Sequence, residues 1–324
     1  GKKLSGTVTT NTSKNAAVAL LAASLLNKGT TTLKRMPKIE EVFRLIEVLQ
    51  SIGVSVVWNE SDVIITPGTI NLANINRLSA ERTRSIAMFV GPLAHIFDEF
   101  DLPAPTGCDL GKRSLGSHID ALAQLGIHVR GDDTAHTYHV ESGSKTPADI
   151  VMFEASDTGV ENVLMAAAKV PGTTTIKFAS ANYMVQDLCV FLESLGVKIE
   201  GIGTGTLVVH GIADINLDAV GYPSEDPIET MFFVSLAATC GSELTIKRCP
   251  IDFMELELFT LGHMGLKYEK GPEYIADNGH TKLCDIVVHP SELTAPPEKI
   301  APRPYPGINI DNLLLSYLKP LSIK

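Results

Sequence analysis

Four times along the 324 residues a helix-like stretch ends on glycine and a strand-like stretch starts at once. The four sites are Ser51-Ile-Gly-Val-Ser-Val, Leu125-Gly126-Ile127-His128-Val129, Leu195-Gly196-Val197-Lys198-Ile199 and Met264-Gly265-Leu266-Lys267-Tyr268. Their glycines, 53, 126, 196 and 265, stand 73, 70 and 69 residues apart. Glycine just past a helix accepts the left-handed backbone that closes it. A second marker lies upstream: Gly29-Thr-Thr-Thr-Leu33, Gly172-Thr-Thr-Thr-Ile176 or Gly241-Ser-Glu-Leu-Thr245. Together they predict a repeated unit of helix, strand, helix and strand pair. Solenoid repeats run roughly 20–50 residues, so each unit here is a small α/β subdomain.

The first unit shows how the rest are read. Leu4 to Thr10 predicts a short strand, and Ala16 to Leu26 is rich in helix formers, with Ser13 placed to cap and Gly29 just beyond. Thr30 to Met36 alternates as a strand. Ile39, Val42, Phe43, Ile46 and Leu49 follow helical spacing. Val54 to Trp58 and Asp62 to Thr66 then read as a hairpin. The third unit starts near Val160 and the fourth near Ile228, with the tract Gly221 to Pro227 as a linker. A fifth unit opens around Gly307 to Leu318 and the sequence stops, which predicts a truncated or partly represented polypeptide.

Composition narrows the function. The chain is 44% hydrophobic and 20% charged, an ordinary globular mix with length for two domains. Net charge is −10 with no block of basic residues, which argues against a nucleic-acid groove while leaving room for a local cationic pocket. Cysteines 108, 189, 240, 249 and 284 are scattered, with no C-x-x-C and no zinc spacing. That predicts a reducing compartment, no disulfide framework and no metal. Apolar runs stop short of a membrane span and no leader opens the chain, so a cytoplasmic protein without membrane attachment is expected.

One stretch carries chemistry. Residues 103 to 118 read Pro-Ala-Pro-Thr-Gly-Cys-Asp-Leu-Gly-Lys-Arg-Ser-Leu-Gly-Ser-His. Pro103, Pro105 and Gly107 oppose a helix or central strand, so a surface loop is predicted. Cys108 beside Lys112 and Arg113 sits near fixed positive charge, which favours a thiolate, and the two cations can hold a phosphate. A turn-rich loop with an incidental cysteine has the same composition. Lys14 falls in the first turn of a helix whose free N–H groups attract anions; a cation there opposes the dipole, and an anion clamp or a plain exposed lysine both fit. Arg84 precedes the strongly apolar helix predicted for Ile86 to Leu93.

Several motifs, in order and at matching spacing, make the chain resemble the enolpyruvyl transferases. They are Ser13-Lys14-Asn15-Ala16-Ala17, Arg84-Ser-Ile with Gly91-Pro-Leu93, Gly107-Cys108-x-x-Gly111-x-Arg113 with His118, Ser156-Asp-Thr-Gly159, and Tyr305-Pro-Gly-Ile-Asn-Ile-Asp311. Each is weak alone; jointly they are specific, and the Cys108 loop resembles the branch acting on UDP-N-acetylglucosamine. The resemblance implies an inside-out α/β barrel, with repeated α/β subdomains in two lobes. Lobe one would be 14–224 and carry the Cys108 loop; lobe two, incomplete, would be 1–13 plus 225–324.

The implied reaction is transfer of the enolpyruvyl group of phosphoenolpyruvate to the 3-hydroxyl of UDP-N-acetylglucosamine, releasing phosphate, the first committed step of peptidoglycan synthesis. No cofactor is implied. Cys108 would protonate the methylene carbon and Asp311 would take the hydroxyl proton. Lys14, Asn15 and Arg113 would contact phosphoenolpyruvate. Arg84, with Ser114, Leu115, Gly116, Ser117, Ser156 and Asp157, would face the sugar nucleotide. Ser114 and Gly116 depart from the family's usual proline and acidic residue. Two other readings compete: a truncated or diverged homologue that binds nucleotide sugar without turnover, and the sister enzyme acting on shikimate 3-phosphate. The oligomeric state is left open.

Overall fold

The computed structural model describes residues 3–105, 115–132, 134–296 and 299–312. The chain divides into two compact units, Lys14–Pro223 and Gly1–Ser13 with Ser224–Lys324. β1 (Thr7–Thr9) leads into α1 (Lys14–Ala23), which a 3₁₀ turn at Ser24–Leu26 extends. β2 (Thr31–Leu33), α2 (Glu40–Ser51), β3 (Ser55–Asn59) and β4 (Asp62–Thr66) follow. Next come α3 (Arg77–Glu81), a 3₁₀ helix Arg84–Phe89, α4 (Val90–Leu93), β5 (Glu99–Pro103), α5 (Gly116–Ala123), β6 (His128–Asp132) and β7 (Thr137–Glu141). The last stretch of this unit has β8 (Asp149–Val151), α6 (Asp157–Ala168), β9 (Gly172–Lys177), α7 (Tyr183–Ser194), β10 (Lys198–Glu200), β11 (Thr206–Gly211) and β12 (Ala219–Gly221). The other unit adds α8 (Pro227–Thr239), β13 (Leu244–Pro250), α9 (Glu255–His263), β14 (Lys267–Lys270), β15 (Tyr274–Ile275) and β16 (Lys282–His289) to β1.

The repeat is visible in the sheets. Three share one plan: β12-β2-β4-β3, β8-β9-β11-β10 and β1-β13-β16-β14. In each, the first pairing is parallel and the next two antiparallel. The remaining sheet, β5-β7-β6, is antiparallel. The first sheet takes its parallel strand from β12, the end of the same unit, so that unit closes on itself.

All four marker glycines have positive φ: +104, +89, +91 and +99°. After each, an N–H reaches back across the cap: Val54 to the Leu49 carbonyl, Ile127 to Leu122, Val197 to Leu192 and Leu266 to Leu261, at 3.0, 3.0, 3.1 and 2.9 Å. This is the Schellman closure, used four times.

In the 14–223 unit the helices are the core. α1 is buried from Ala16 to Ala23 and α6 from Gly159 to Ala168, and α1 packs on α2 and α7 while α6 packs on α4, α5 and α7. Strands alternate instead, as Val56, Val63, Ile65, Leu207 and Val209 point inward from solvated sheets. Helices inside and sheets outside is the arrangement the resemblance implied. In the other unit, α8 and α9 pack with β13 and β16 around Ile246, Leu258, Ile286 and Val288.

Some boundaries moved. The strand expected over Thr30 to Met36 ends at Leu33, because Arg35 turns to φ +50° and donates its N–H to Asp62 Oδ1 at 3.0 Å. The helix expected over Ile86 to Leu93 is 3₁₀ up to Phe89. The loop predicted for 103–118 gives up both ends: Pro103 closes β5, and Gly116 to His118 form the first turn of α5. No helix among the described residues is long and apolar enough to cross a membrane.

Candidate active site

Lys14 opens α1, followed by Asn15, and no acid shares the first turn. Its Nζ lies 2.8 Å from Oε2 of Glu41, in the first turn of α2. The other oxygen of Glu41 accepts from Thr83 Oγ1 at 2.7 Å and Ser85 Oγ at 2.6 Å. Burial pushes the Glu41 carboxyl up, but Lys14 and the hydroxyls outweigh it and hold it below the usual carboxylate range. Thr83 and Ser85 flank Arg84, which is exposed at the start of its 3₁₀ helix. One carboxylate therefore joins Lys14 to the two hydroxyls that flank Arg84.

The charge of Arg84 reaches His118 in α5. Burial first, then Arg84, lowers this ring to about 4, so it is neutral near pH 7. Its tautomer follows from its neighbours. Asn162 in α6 accepts the Gly91 N–H on Oδ1 at 2.7 Å and gives Nδ2 to the Ala87 carbonyl at 2.8 Å, which fixes the amide. The same Nδ2 faces His118 Nδ1 at 3.3 Å, so Nδ1 accepts. His118 then carries its proton on Nε2, which donates to Thr158 Oγ1 at 3.1 Å.

Thr158 belongs to the first turn of α6, where two more predicted residues lie. Ser156 caps the helix, accepting the Gly159 N–H at 3.2 Å. Asp157 accepts a short bond from Ser180 Oγ and one of 3.2 Å from Asn182 Nδ2. One turn further in, Glu161 is buried, and its Oε1 has no partner among the described residues. Burial, with repulsion from Asp157 and Asp187, raises its carboxyl well above the ordinary range.

Lys14 and the segment carrying Arg84 thus meet at Glu41, while Ser156 and Asp157 adjoin Thr158, the partner of His118. Leu115 caps α5 by backbone position only, with Gly116 and buried Ser117 following in its first turn. Asp311 lies in the other unit, exposed in a 3₁₀ turn, Ile310–Asn312, with its N–H on Asn309 Oδ1 at 3.1 Å. Cys108, Arg113 and Ser114 lie outside the described residues. Sequence reading missed Glu41, Thr83, Ser85 and Asn162. Glu40-Glu41 looks like ordinary acid at a helix start, and the hydroxyls beside Arg84 were the available hint.

Residues 1–323 match the family model for EPSP synthase (3-phosphoshikimate 1-carboxyvinyltransferase). The chain belongs to this family. Among its curated relatives is the UDP-N-acetylglucosamine 1-carboxyvinyltransferase of Campylobacter fetus, 31% identical over 294 residues, which are 90% of this chain and 70% of that protein. The protein of the same name from Thermodesulfovibrio yellowstonii is 30% identical over 96% of this chain and 71% of its own length. That from Bradyrhizobium diazoefficiens is 34% identical over 78% and 58%. Among solved structures, the enolpyruvyl transferase NikO from Streptomyces tendae superposes with TM-score 0.80 at 20% identity, covering 96% of this chain and 71% of NikO. EPSP synthase from Acinetobacter baumannii gives 0.70 at 18% identity, over 98% and 69%. These low identities speak for the fold, and the fold is that of the EPSP synthase family.

Proposed function

We propose that this protein transfers the enolpyruvyl group of phosphoenolpyruvate to the 3-hydroxyl of UDP-N-acetylglucosamine and releases phosphate. The observation that carries the reading is the likeness, over 90% and 96% of the chain, to two proteins named for that reaction. In it the acceptor hydroxyl attacks carbon 2 of phosphoenolpyruvate while Asp311 takes its proton. Cys108 gives a proton to carbon 3, and the phosphorylated tetrahedral adduct then loses phosphate from carbon 2 together with a proton from the carbon 3 methyl to leave an enol ether. Lys14 and Asn15, with Arg113, meet the phosphate and carboxylate. Arg84, Ser114 to Ser117, Ser156 and Asp157 serve the nucleotide sugar. A half-buried lysine at the mouth of a ten-residue helix supports the anion role, since helix dipole and ammonium attract the same ligand. The neutral His118 fits a positioning part and leaves acid chemistry to Cys108. With this activity comes a role in peptidoglycan synthesis in the cytoplasm, and through it in cell shape and division.

Phosphate release with both substrates present tests the reading. Release that requires both, and that Cys108→Ala abolishes, is the expected outcome. No release at high enzyme concentration rejects the reading, and binding of UDP-N-acetylglucosamine without turnover would then mark a non-catalytic homologue.

A further inference from the structure

Glu40 and Glu41 are neighbours at the start of α2, yet they do different things. Glu40 is exposed and pairs with Arg44 one turn on, the ordinary use of an acid at a helix N-terminus. Glu41 turns away from its own helix. One oxygen meets Lys14, 27 positions earlier, and the other meets hydroxyls 42 and 44 positions later. All three partners are donors, so only the ionised carboxylate satisfies them together. Thr83 is itself fixed, being 4% exposed and accepting the Ser85 N–H at 3.2 Å.

We propose that Glu41 is a positioning residue that sets Lys14 and the Arg84 segment in register, so that the phosphoenolpyruvate side and the nucleotide-sugar side of the site are placed by one carboxylate. The inference rests on the functional reading above. Its physical content is pre-organisation. A free lysine spreads over many rotamers, and one held at 2.8 Å has already lost that freedom before substrate arrives. An ammonium has three donors, so the one engaged by Glu41 leaves capacity for an incoming phosphate or carboxylate.

The test is a kinetic cycle on the whole protein with Glu41→Gln, Lys14→Ala and the double variant, read by phosphate release. Glutamine keeps a carbonyl for the two hydroxyls but presents Lys14 with an uncharged amide. Glu41→Gln is expected to raise KM for phosphoenolpyruvate about tenfold, the scale of one charge-assisted bond. KM for UDP-N-acetylglucosamine and the melting temperature stay close to wild type. Glu41→Ala, which also strands the hydroxyls beside Arg84, raises both KM values. In the Lys14→Ala background the Gln substitution adds nothing. An unchanged KM for phosphoenolpyruvate in Glu41→Gln overturns this inference and leaves the function standing, as does a full additional effect in the Lys14→Ala background. Absence of wild-type turnover, or a Lys14→Ala variant with normal KM, removes the functional reading and this inference with it.

Discussion

At the scale of single residues, two positions in the 14–223 unit show what packing demands. Gly91 belongs to a motif singled out by resemblance alone, and the structure gives its physical reason. A Cβ there would lie 2.5 Å from the Asn162 carbonyl oxygen and 2.8 Å from Asn162 Oδ1. Neither atom is free to move, since the amide also holds Ala87 and His118. Gly91→Ala should cost about 2–3 kcal/mol, as overpacking a rigid contact does, and urea unfolding measures it; a loss under half a kcal/mol would show the contact to be soft. Glu161 yields a prediction in pH. Its carboxyl is raised in the folded state, so between the unfolded value and the folded one the native chain holds a proton that the unfolded chain has lost. Stability from this group is full below the unfolded value, near pH 4.5, and falls as pH rises toward the folded value. The slope is about 1.4 kcal/mol per pH unit per proton. Glu161→Gln removes that dependence, so its stability relative to wild type should climb as pH rises above about 4.5 in denaturant titrations. A difference independent of pH would place the charge elsewhere.

At the scale of elements, the four helix-closing glycines are equal in backbone and unequal in surroundings. A Cβ on Gly53 would meet the Thr69 carbonyl at 2.5 Å, while one on Gly196 would meet only the tip of Ile212 at 3.7 Å. Gly196→Ala should therefore cost about 1–2 kcal/mol, the price of left-handed backbone alone. Gly53→Ala should cost more, and paired thermal melts decide it: equal losses would mean that the Thr69 segment yields freely. These glycines also mark how much of the fold the sequence disclosed. A residue whose demand is local, such as a cap, can be read where it stands, and so can the hairpin expected at 54–58 and 62–66 and found at 55–59 and 62–66. Elements shaped from afar could not be read so well. The 84–93 stretch has the apolar content of a helix, but its first half is 3₁₀ where Thr83 and Ser85 turn to Glu41 and Asn162 holds Ala87. The site divides the same way. Lys14 and Arg84 were legible as cations in suggestive company. Glu41 was not, because its partners are 27 to 44 positions distant and nothing in a linear string joins them.

At the scale of the whole molecule, the 14–223 unit is one uninterrupted stretch of chain whose last strand completes its first sheet. The closure is more than three paired residues. Asn27, 1% exposed, gives Nδ2 to the Leu217 carbonyl at 2.8 Å and to Thr31 Oγ1 at 3.1 Å, and takes the N–H of Gly29 at 3.0 Å and of Leu217 at 3.2 Å on Oδ1. Lys28 donates to the Ile215 carbonyl at 2.9 Å, and Ile215 is itself buried. Gly29 must be glycine for this contact, since a Cβ would sit 2.4 Å from the Leu217 oxygen. Every hydrogen-bonding capacity of the Asn27 side chain is engaged, so Asn27→Ala would strand several buried groups at about 1–3 kcal/mol each. The pairing joins residues 190 apart, so forming it from the unfolded chain closes a long loop at a matching entropy cost. It follows that residues 14–223 should fold by themselves, with a cooperative melt by circular dichroism. The same unit cut at 212 loses β12 and Leu217, the distant partner of Asn27. It exposes the edge of β2, and should melt about 6–12 °C lower or without cooperativity, as roughly 3 kcal/mol would produce in a domain of this size. Equal melts for the two fragments would mean that the helical core alone holds the unit and that the closing strand is only a cover.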